Sequence, residues 1–501
     1  LTLVLFKFGI KFKYIFMSNE IRNLQPNIIW NNFCKLNAVP RPSKKEEKVI
    51  KFMHDFGVSL GLETQIDKVG NVVIYKPATV GMENRKTVIL QSHLDMVHEK
   101  NNDVDFDFEK SGIQMYVDND WVKAKGTTLG ADNGLGVATI MSILESSDIS
   151  HPRIEALFTI DEETGMTGAL KLDENILKGD ILLNLDTEED DEIGIGCAGG
   201  VDITISKTFE TTINKNLSFI KITLNGLSGG HSGMEIHKNL GNSNKLLNKI
   251  INDLNDNFLI HISEIDGGGL RNAIPRESSF ILGITDAEFK SIETQSLNSF
   301  AVIKDQFLHT DPSIKLSIVK LDKDFKIIDK ENQTELIKLI ENCPNGVYKM
   351  SDNIPGLVET SNNLANISLK DGNLNIKCLT RSSDEDSKEE LKNIIKTLFI
   401  NKRYDVNFSG DYPGWQPDMN SEILDKLVKV YKDLNNTEPN VAACHAGLEC
   451  GIIGSHYPEL DMISFGPTIR GAHSPDERAS IKSTIKFWKF LKEVLLNIPF
   501  K

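Results

Sequence analysis

A chain of 501 residues exceeds the size of one hydrophobic core, so two or more domains are expected. Its hydrophobic fraction of 40% and charged fraction of 25% are those of an ordinary globular protein. With 71 acidic against 56 basic side chains and a net charge of −15, it lacks the basic stripe of a nucleic-acid binder, and no nucleic-acid partner is expected.

The chain opens on Leu1 to Phe16, an apolar and aromatic stretch broken by Lys7, Lys11 and Lys13. It has neither the clean apolar segment and small-residue cleavage site of a signal peptide nor the length to span a bilayer. It reads as an upstream extension, residues 1–16, before a natural start at Met17, and no membrane partner is expected. Residues from about Asn27 to Gly61 carry apolar side chains at helical spacing: Ile28, Trp30, Phe33 and Leu36, then Val49, Phe52, Met53 and Phe56. Between them, Val39-Pro40-Arg41-Pro42-Ser43 ends in a serine with Glu46 three residues on, the spacing of a capping box. A strand pair is expected over Glu63 to Lys68 and Asn71 to Lys76.

Val88 to His93 reads as a buried strand that ends on a histidine, with Asp95 two residues later. A strand-end histidine is either a hydrogen-bonded structural residue or a metal ligand steered by a nearby carboxylate. Asp132 follows in the glycine-flanked turn Leu129-Gly130-Ala131-Asp132-Asn133-Gly134, before a helix expected over Leu135 to Leu144. It is either an N-cap or a ligand brought close by a sharply bent backbone. The strand Ile154 to Ile160 runs into Asp161-Glu162-Glu163, which is either a solvated acidic turn or three carboxylates at the end of a buried strand that something positive neutralises. Ile181 to Asp186 repeats the plan. Potential ligands at His93, Glu163 and Asp186 thus sit at the carboxyl ends of strands, where open α/β sheets place their sites.

After Cys197-Ala198-Gly199-Gly200, read as a linker, alternating strands and amphipathic helices mark a compact α+β insertion over residues 199–397. It carries Gly229-Gly230-His231-Ser232-Gly233, Arg271-Asn272-Ala273 and Thr380-Arg381-Ser382, none of which declares a role by itself. The tail returns to the first pattern: a helix over Ile423 to Asp433, the segment His445-Ala446-Gly447-Leu448-Glu449, a strand from Met462, then Ala472-His473-Ser474-Pro475-Asp476-Glu477 and a closing helix over Ile481 to Leu496. The six cysteines are scattered without a CxxC pair. That suits reduced thiols in a cytoplasm and speaks against a thiolate metal cluster.

Six segments, in order along the chain, resemble the M20 metallopeptidase family, and in particular its aminoacyl-histidine (Xaa-His, carnosinase-like) dipeptidase branch. They are Ser-His-Leu-Asp-Met-Val at 92–97, Leu-Gly-Ala-Asp-Asn-Gly at 129–134, Asp-Glu-Glu-Thr-Gly at 161–165, Asn-Leu-Asp at 184–186, Gly-Gly-His-Ser-Gly at 229–233 and Ala-His-Ser-Pro-Asp-Glu at 472–477. The lid helix, read as Lys238-Asn239-Leu240-Gly241-Asn242-Ser243, departs from the Arg-Ala-Asn version of many relatives outside this branch.

The resemblance implies an α/β fold: a zinc-exopeptidase-like catalytic domain with a mixed central sheet flanked by helices, over 17–198 and 398–501, and an inserted α+β lid or dimerisation domain over 199–397. It implies two zinc ions per chain, with Co²⁺ or Mn²⁺ as substitutes. Asp132 bridges them, His93 and Asp186 complete one, and Glu163 and His473 the other, an all nitrogen and oxygen set. Asp95 orients the His93 ring and Glu162 is the general base acting on a metal-activated water. His231 becomes an oxyanion donor, supplied by the partner subunit in dimeric members, so a homodimer is expected. Arg381 takes the substrate carboxylate, Asn272 assists, and Glu449 either holds the α-amine or is a structural acid. The expected activity is that of a cytoplasmic dipeptidase on short peptides, with Xaa-His dipeptides preferred. The alternatives are a tripeptidase, an N-acyl amino acid hydrolase, or a non-catalytic peptide-binding homologue.

Overall fold

The structure is a computed structural model that describes residues 20–501; the expectation for residues 1–16 and the start at Met17 lies outside them. The chain divides into two compact units. The first comprises residues up to Gly196 together with Pro417–Ala443 and Glu449–Lys501, and the second Cys197–Gln416 with Cys444–Leu448.

The first unit is built on an eight-stranded mixed sheet. Its order is Glu63–Ile66, Val72–Lys76, Ile154–Thr159, Val88–His93, Ile181–Asn184, Asp461–Ser464, Glu192–Cys197 and Asn440–Cys444. The four central strands, from Ile154–Thr159 to Asp461–Ser464, run parallel. They are short apolar runs because both faces are covered: Val88, Ile89 and Leu90 are fully buried, as are Leu182 and Leu183. Each such side chain contributes about 1.5–3 kcal/mol by leaving water.

Towards the carboxyl ends of these strands the register changes character from apolar to polar. Gln91 pairs with Asn184, and Asn184 with Ser464. Their side chains satisfy one another: the Asn184 amide donates to Gln91 Oε1 at 2.5 Å and the Ser464 hydroxyl to Asn184 Oδ1 at 2.5 Å. A buried ladder of this kind is stable only when its members are paired. It carries the sheet from hydrocarbon packing to chemistry within two residues.

The helix Ala131–Glu145 is apolar nearly all round and buried along its length, and it packs against the strand Val88–His93 and the helix Asn27–Leu36. It begins earlier than Leu135, with non-helical backbone at Asp132 and Asn133 inside it. The helix Glu47–Ser59 is not capped by Ser43; Glu46 occupies the N-cap position without a side-chain cap bond, and its carboxylate instead accepts the Lys44 N–H at 2.8 Å. A separate four-stranded sheet orders Ile469–Arg470, Arg478–Ser480, Trp121–Ala124 and Met115–Asp118. It anchors both ends of the turn that carries His473.

The second unit is built on a nine-stranded antiparallel sheet backed by the helices Ser243–Asn257, Phe289–Gln306, Lys330–Asn342 and Glu385–Ile400. Leu247, Ile250, Ile251 and Leu254 form the inward stripe of the first of these helices. Asn242 is its N-cap, accepting from the backbone of Asn244 at 3.0 Å and Lys245 at 3.2 Å; the segment from Lys238 leads into the helix rather than forming part of it.

The junction with the second unit also differs from expectation. The stretch Cys197–Gly200 is no loose linker, because Gly199 pairs with Ser382, Gly200 with Arg381, and Cys197 N–H donates to Trp415 at 2.9 Å. The second unit also passes residue 397 to Gln416, since the strand Asp405–Tyr412 pairs with Gly199–Thr208.

Candidate active site

Within the first unit, His93, Asp132, Glu163, Asp186 and His473 converge from five segments separated by up to 380 residues of sequence. Asp132 lies at their centre. Its Oδ1 is 3.2 Å from His93 Nε2 and its Oδ2 is 3.1 Å from His473 Nε2. His93 Nε2 also lies 3.5 Å from Asp186 Oδ1, and His473 Nε2 3.0 Å from Glu163 Oε2. Two triplets result, His93–Asp132–Asp186 and Asp132–Glu163–His473, each with its ligand atoms within 4.8 Å of one another.

These residues fit a pair of divalent cations on three grounds. The donors are nitrogen and oxygen only. The Glu163 Oε1 atom is buried without a hydrogen-bond partner, which is costly for a carboxylate oxygen unless a cation meets it. Third, the surrounding carboxylates favour positive charge at both histidines. His473 is pushed up to about 11 by its hydrogen bonds to Asp132 and Glu163. Burial opposes a charge on His93, yet Asp186, Asp132 and Asp95 together hold its value well above the ordinary range.

Asp95 is fully buried, 3.4 Å from His93 Nδ1. It does more than face that ring. Its Oδ1 accepts the backbone N–H of Glu162 at 3.0 Å and its Oδ2 that of Glu163 at 3.2 Å, while the Ser43 hydroxyl donates to Oδ2 at 2.8 Å. Ser43, expected to cap a helix, is diverted to this contact.

The Asp161-Glu162-Glu163 run separates into different environments. Asp161 takes a left-handed backbone conformation, φ 57°, and its carboxylate is engaged by the Lys44 ammonium and the Thr164 and Thr167 hydroxyls. Burial and the neighbouring carboxylates of Asp186, Glu163 and Glu449 push Glu162 well above the usual carboxylate range, against the opposing pull of His93. A carboxyl group poised in this way is suited to carrying a proton.

Asn133 was not singled out by its sequence. Its amide donates to Leu185 O at 2.8 Å and to the Asp186 carboxylate, fixing one candidate ligand from the residue beside another. The close approach depends on Gly136, where a Cβ would stand 2.2 Å from Asn133 Oδ1 and 2.5 Å from Ser92 Oγ. The only sequence signal was an amide next to Asp132 in a glycine-rich turn.

Glu449 is fully buried. Its Oε2 accepts from Gln91 at 2.7 Å and from Thr159 at 2.5 Å, and burial pushes its value up to about 8. These bonds join Oε2 to the polar ladder of the sheet, while Oε1 is buried without a hydrogen-bond partner.

The second unit carries the other candidates. His231 Nδ1 accepts the backbone N–H groups of Gly233 at 3.2 Å and Met234 at 3.0 Å. Burial and Arg381 lower its value. The ring is therefore neutral with its proton on Nε2, a donor without charge. Arg381 is buried and its Nη1 donates to the Tyr412 hydroxyl at 3.1 Å. Asn272 is exposed, and its carbonyl accepts the Ser232 N–H at 2.8 Å, which ties its loop to the one carrying His231. Arg271, its neighbour, is a structural cation that pairs with Asp202 at 3.0 Å.

A profile of Peptidase family M20/M25/M40 matches residues 89–497. The chain is 40% identical over 485 residues to the cytosol non-specific dipeptidase of Escherichia coli (strain K12), across 96% of this chain and 100% of that one. The crystal structure of aminoacylhistidine dipeptidase from Vibrio alginolyticus superposes with a TM-score of 0.90 at 39% identity, covering 96% of this chain and 98% of the other. Aminopeptidase PepT from Bacillus cereus, at 16% identity and a TM-score of 0.55 over 94% of this chain and 98% of its own, shares the fold.

Proposed function

Because the chain belongs to the peptidase family M20/M25/M40 and is a hydrolase of peptide bonds, we propose that it is a dinuclear-zinc dipeptidase of broad specificity that includes Xaa-His dipeptides among its substrates. The observation that carries the reading is Asp132, whose two oxygens face His93 and His473 separately. Held by His93, Asp186, Glu163, His473 and the shared Asp132, the two ions would supply Lewis acidity and a water acidic enough to ionise near neutral pH.

The chain's own residues do the rest. Glu162 takes the proton of the attacking water and delivers it to the leaving amine nitrogen, which its raised value allows. Asp95 holds the Glu162 and Glu163 backbone in place for this. In a homodimer His231 is supplied by the second unit of the other copy and, neutral and protonated at Nε2, donates to the oxygen of the scissile carbonyl as charge develops there. The Arg381 guanidinium binds the carboxylate of a short substrate, and that makes the enzyme an exopeptidase. Asn272 assists from a loop hydrogen-bonded to the one that carries His231.

We further propose a cytoplasmic homodimer in which the second unit, around residues 199–416, acts as lid and dimerisation domain. The relative's description as cytosolic supports the location, and no helix among the described residues is long and apolar enough to cross a membrane.

A panel of dipeptides, tripeptides and N-acetyl amino acids, assayed with Zn²⁺ or Co²⁺, tests the substrate class. Turnover of several dipeptides, Xaa-His among them, with little on the other two classes is expected. Faster turnover of tripeptides or of acyl amino acids would reassign the enzyme within its fold.

A further inference from the structure

A buried carboxylate outside the ligand set holds the loop that delivers Asp132. Glu477 is 2% exposed, and four consecutive backbone N–H groups converge on it. Leu129 and Gly130 donate to Oε2 at 2.6 and 2.9 Å, and Ala131 and Asp132 to Oε1 at 2.7 and 3.2 Å. These amides belong to the turn and first residues of the helix Ala131–Glu145, where backbone donors have no partner within the helix. Gly130 makes the turn possible with φ +67°, and a Cβ there would stand 2.5 Å from Arg41 Nη2.

That guanidinium, also buried, grips the opposite side of the same turn. Arg41 Nη2 donates to Gly130 O at 2.5 Å, while Nη1 donates to Leu94 O at 3.1 Å and Asp95 O at 2.9 Å. Arg41 thereby links the backbone that follows His93 to the backbone that precedes Asp132. Glu477 links that same backbone to the turn bearing His473, four residues before it.

We infer that Glu477 is a positioning residue that sets the span between Asp132 and His473, and with it the half of the metal centre formed by Asp132, Glu163 and His473. One turn both presents His473 to Asp132 Oδ2, at 3.1 Å, and accepts the Asp132 N–H at 3.2 Å. The distance between the two ligands is thus fixed by a short closed loop of hydrogen bonds. Replacing one carboxylate oxygen with an amide group would set donors against donors. The turn would shift relative to His473, whereas His93 and Asp186 keep Arg41 and Asn133 as their own supports.

The inference rests on the two-ion reading, and a titration of the intact protein separates the two. Apoprotein is titrated with Co²⁺, following the visible absorption of the bound ion and its affinity, for the unaltered chain, Glu477→Gln, His473→Ala and His93→Ala. Glu477→Gln should follow the His473→Ala pattern. One ion keeps its affinity, the other is weakened by about 10–100-fold, and the spectrum of that ion changes. Glu477→Asp, which keeps the charge with a shorter reach, should recover part of the loss, and it replaces the Gln variant in the comparison should that one fail to fold. Two ions bound with unaltered affinity and spectrum would overturn the role of Glu477, as would parallel loss of both ions in the His93→Ala pattern. Failure of the unaltered chain to take up two ions would instead overturn the two-ion reading.

Discussion

The Asp95 carboxylate accepts the backbone N–H of Glu162 at 3.0 Å across 67 residues of sequence. The same carboxylate faces the His93 ring and takes the Glu163 N–H, so one buried acid ties a candidate ligand strand to the turn carrying the proposed base. Substitution by Asn would keep the volume but aim an amide group at an amide donor. Asp95→Asn is expected to lower metal affinity by roughly 10–100-fold and stability by about 1–3 kcal/mol. Calorimetric metal titration and thermal melting of the apoprotein check the two effects separately.

Glu162→Gln removes the proposed proton carrier and leaves the five candidate ligands in place. Turnover should fall by about 10²–10⁴-fold with metal content unchanged. Full activity in that variant would show that the proton travels by another residue.

Arg381→Ala should weaken the grip on a free C-terminal carboxylate. The loss of a charge-assisted contact, roughly 1.5–3 kcal/mol, predicts a rise of about 10–100-fold in KM for a dipeptide and little change for its C-terminal amide. Steady-state kinetics on the matched pair reads the difference.

The pH dependence follows from the histidines. His473, at about 11 in the metal-free protein, lies above its unfolded value, which is about 6.5. Its contribution to the metal-free fold is therefore complete below about pH 6.5 and declines as pH rises towards 11. His93 is shifted in the same direction. A metal ion needs the neutral rings, so binding near pH 7 should release about two protons, one per histidine, and affinity should rise with pH. Calorimetry in buffers of different ionisation enthalpy measures that release, and uptake without proton release would contradict the assigned ligands.

Much of this architecture is legible along the chain because apolar runs set the central strands. Val88–His93 and the closing helix Ile481–Leu496 fall on their expected bounds. The polar ends of those strands could be read as potential ligand positions because several of them deliver a histidine or a carboxylate to the carboxyl edge of the sheet, where open α/β folds place their sites. Less legible was everything decided by contacts between distant segments. Ser43 has the spacing of a helix cap, but its hydroxyl is claimed by Asp95. Cys197–Gly200 has the composition of a linker, yet strands from later in the chain pair with it. The roles of Asn133 and Glu477 are expressed through backbone groups of remote residues, 345 positions away for Glu477 and Asp132. No local pattern encodes such partners.

The central claim is that one chain holds two ions on nitrogen and oxygen ligands and uses them on dipeptides. It is tested most directly by metal analysis and dipeptide turnover on the same purified sample, before and after chelation. The account predicts about two zinc equivalents per chain by the ligand count, loss of turnover on their removal, and its return with Zn²⁺ or Co²⁺. A folded chain that takes up no divalent metal, or that hydrolyses dipeptides equally well after complete removal, would contradict it.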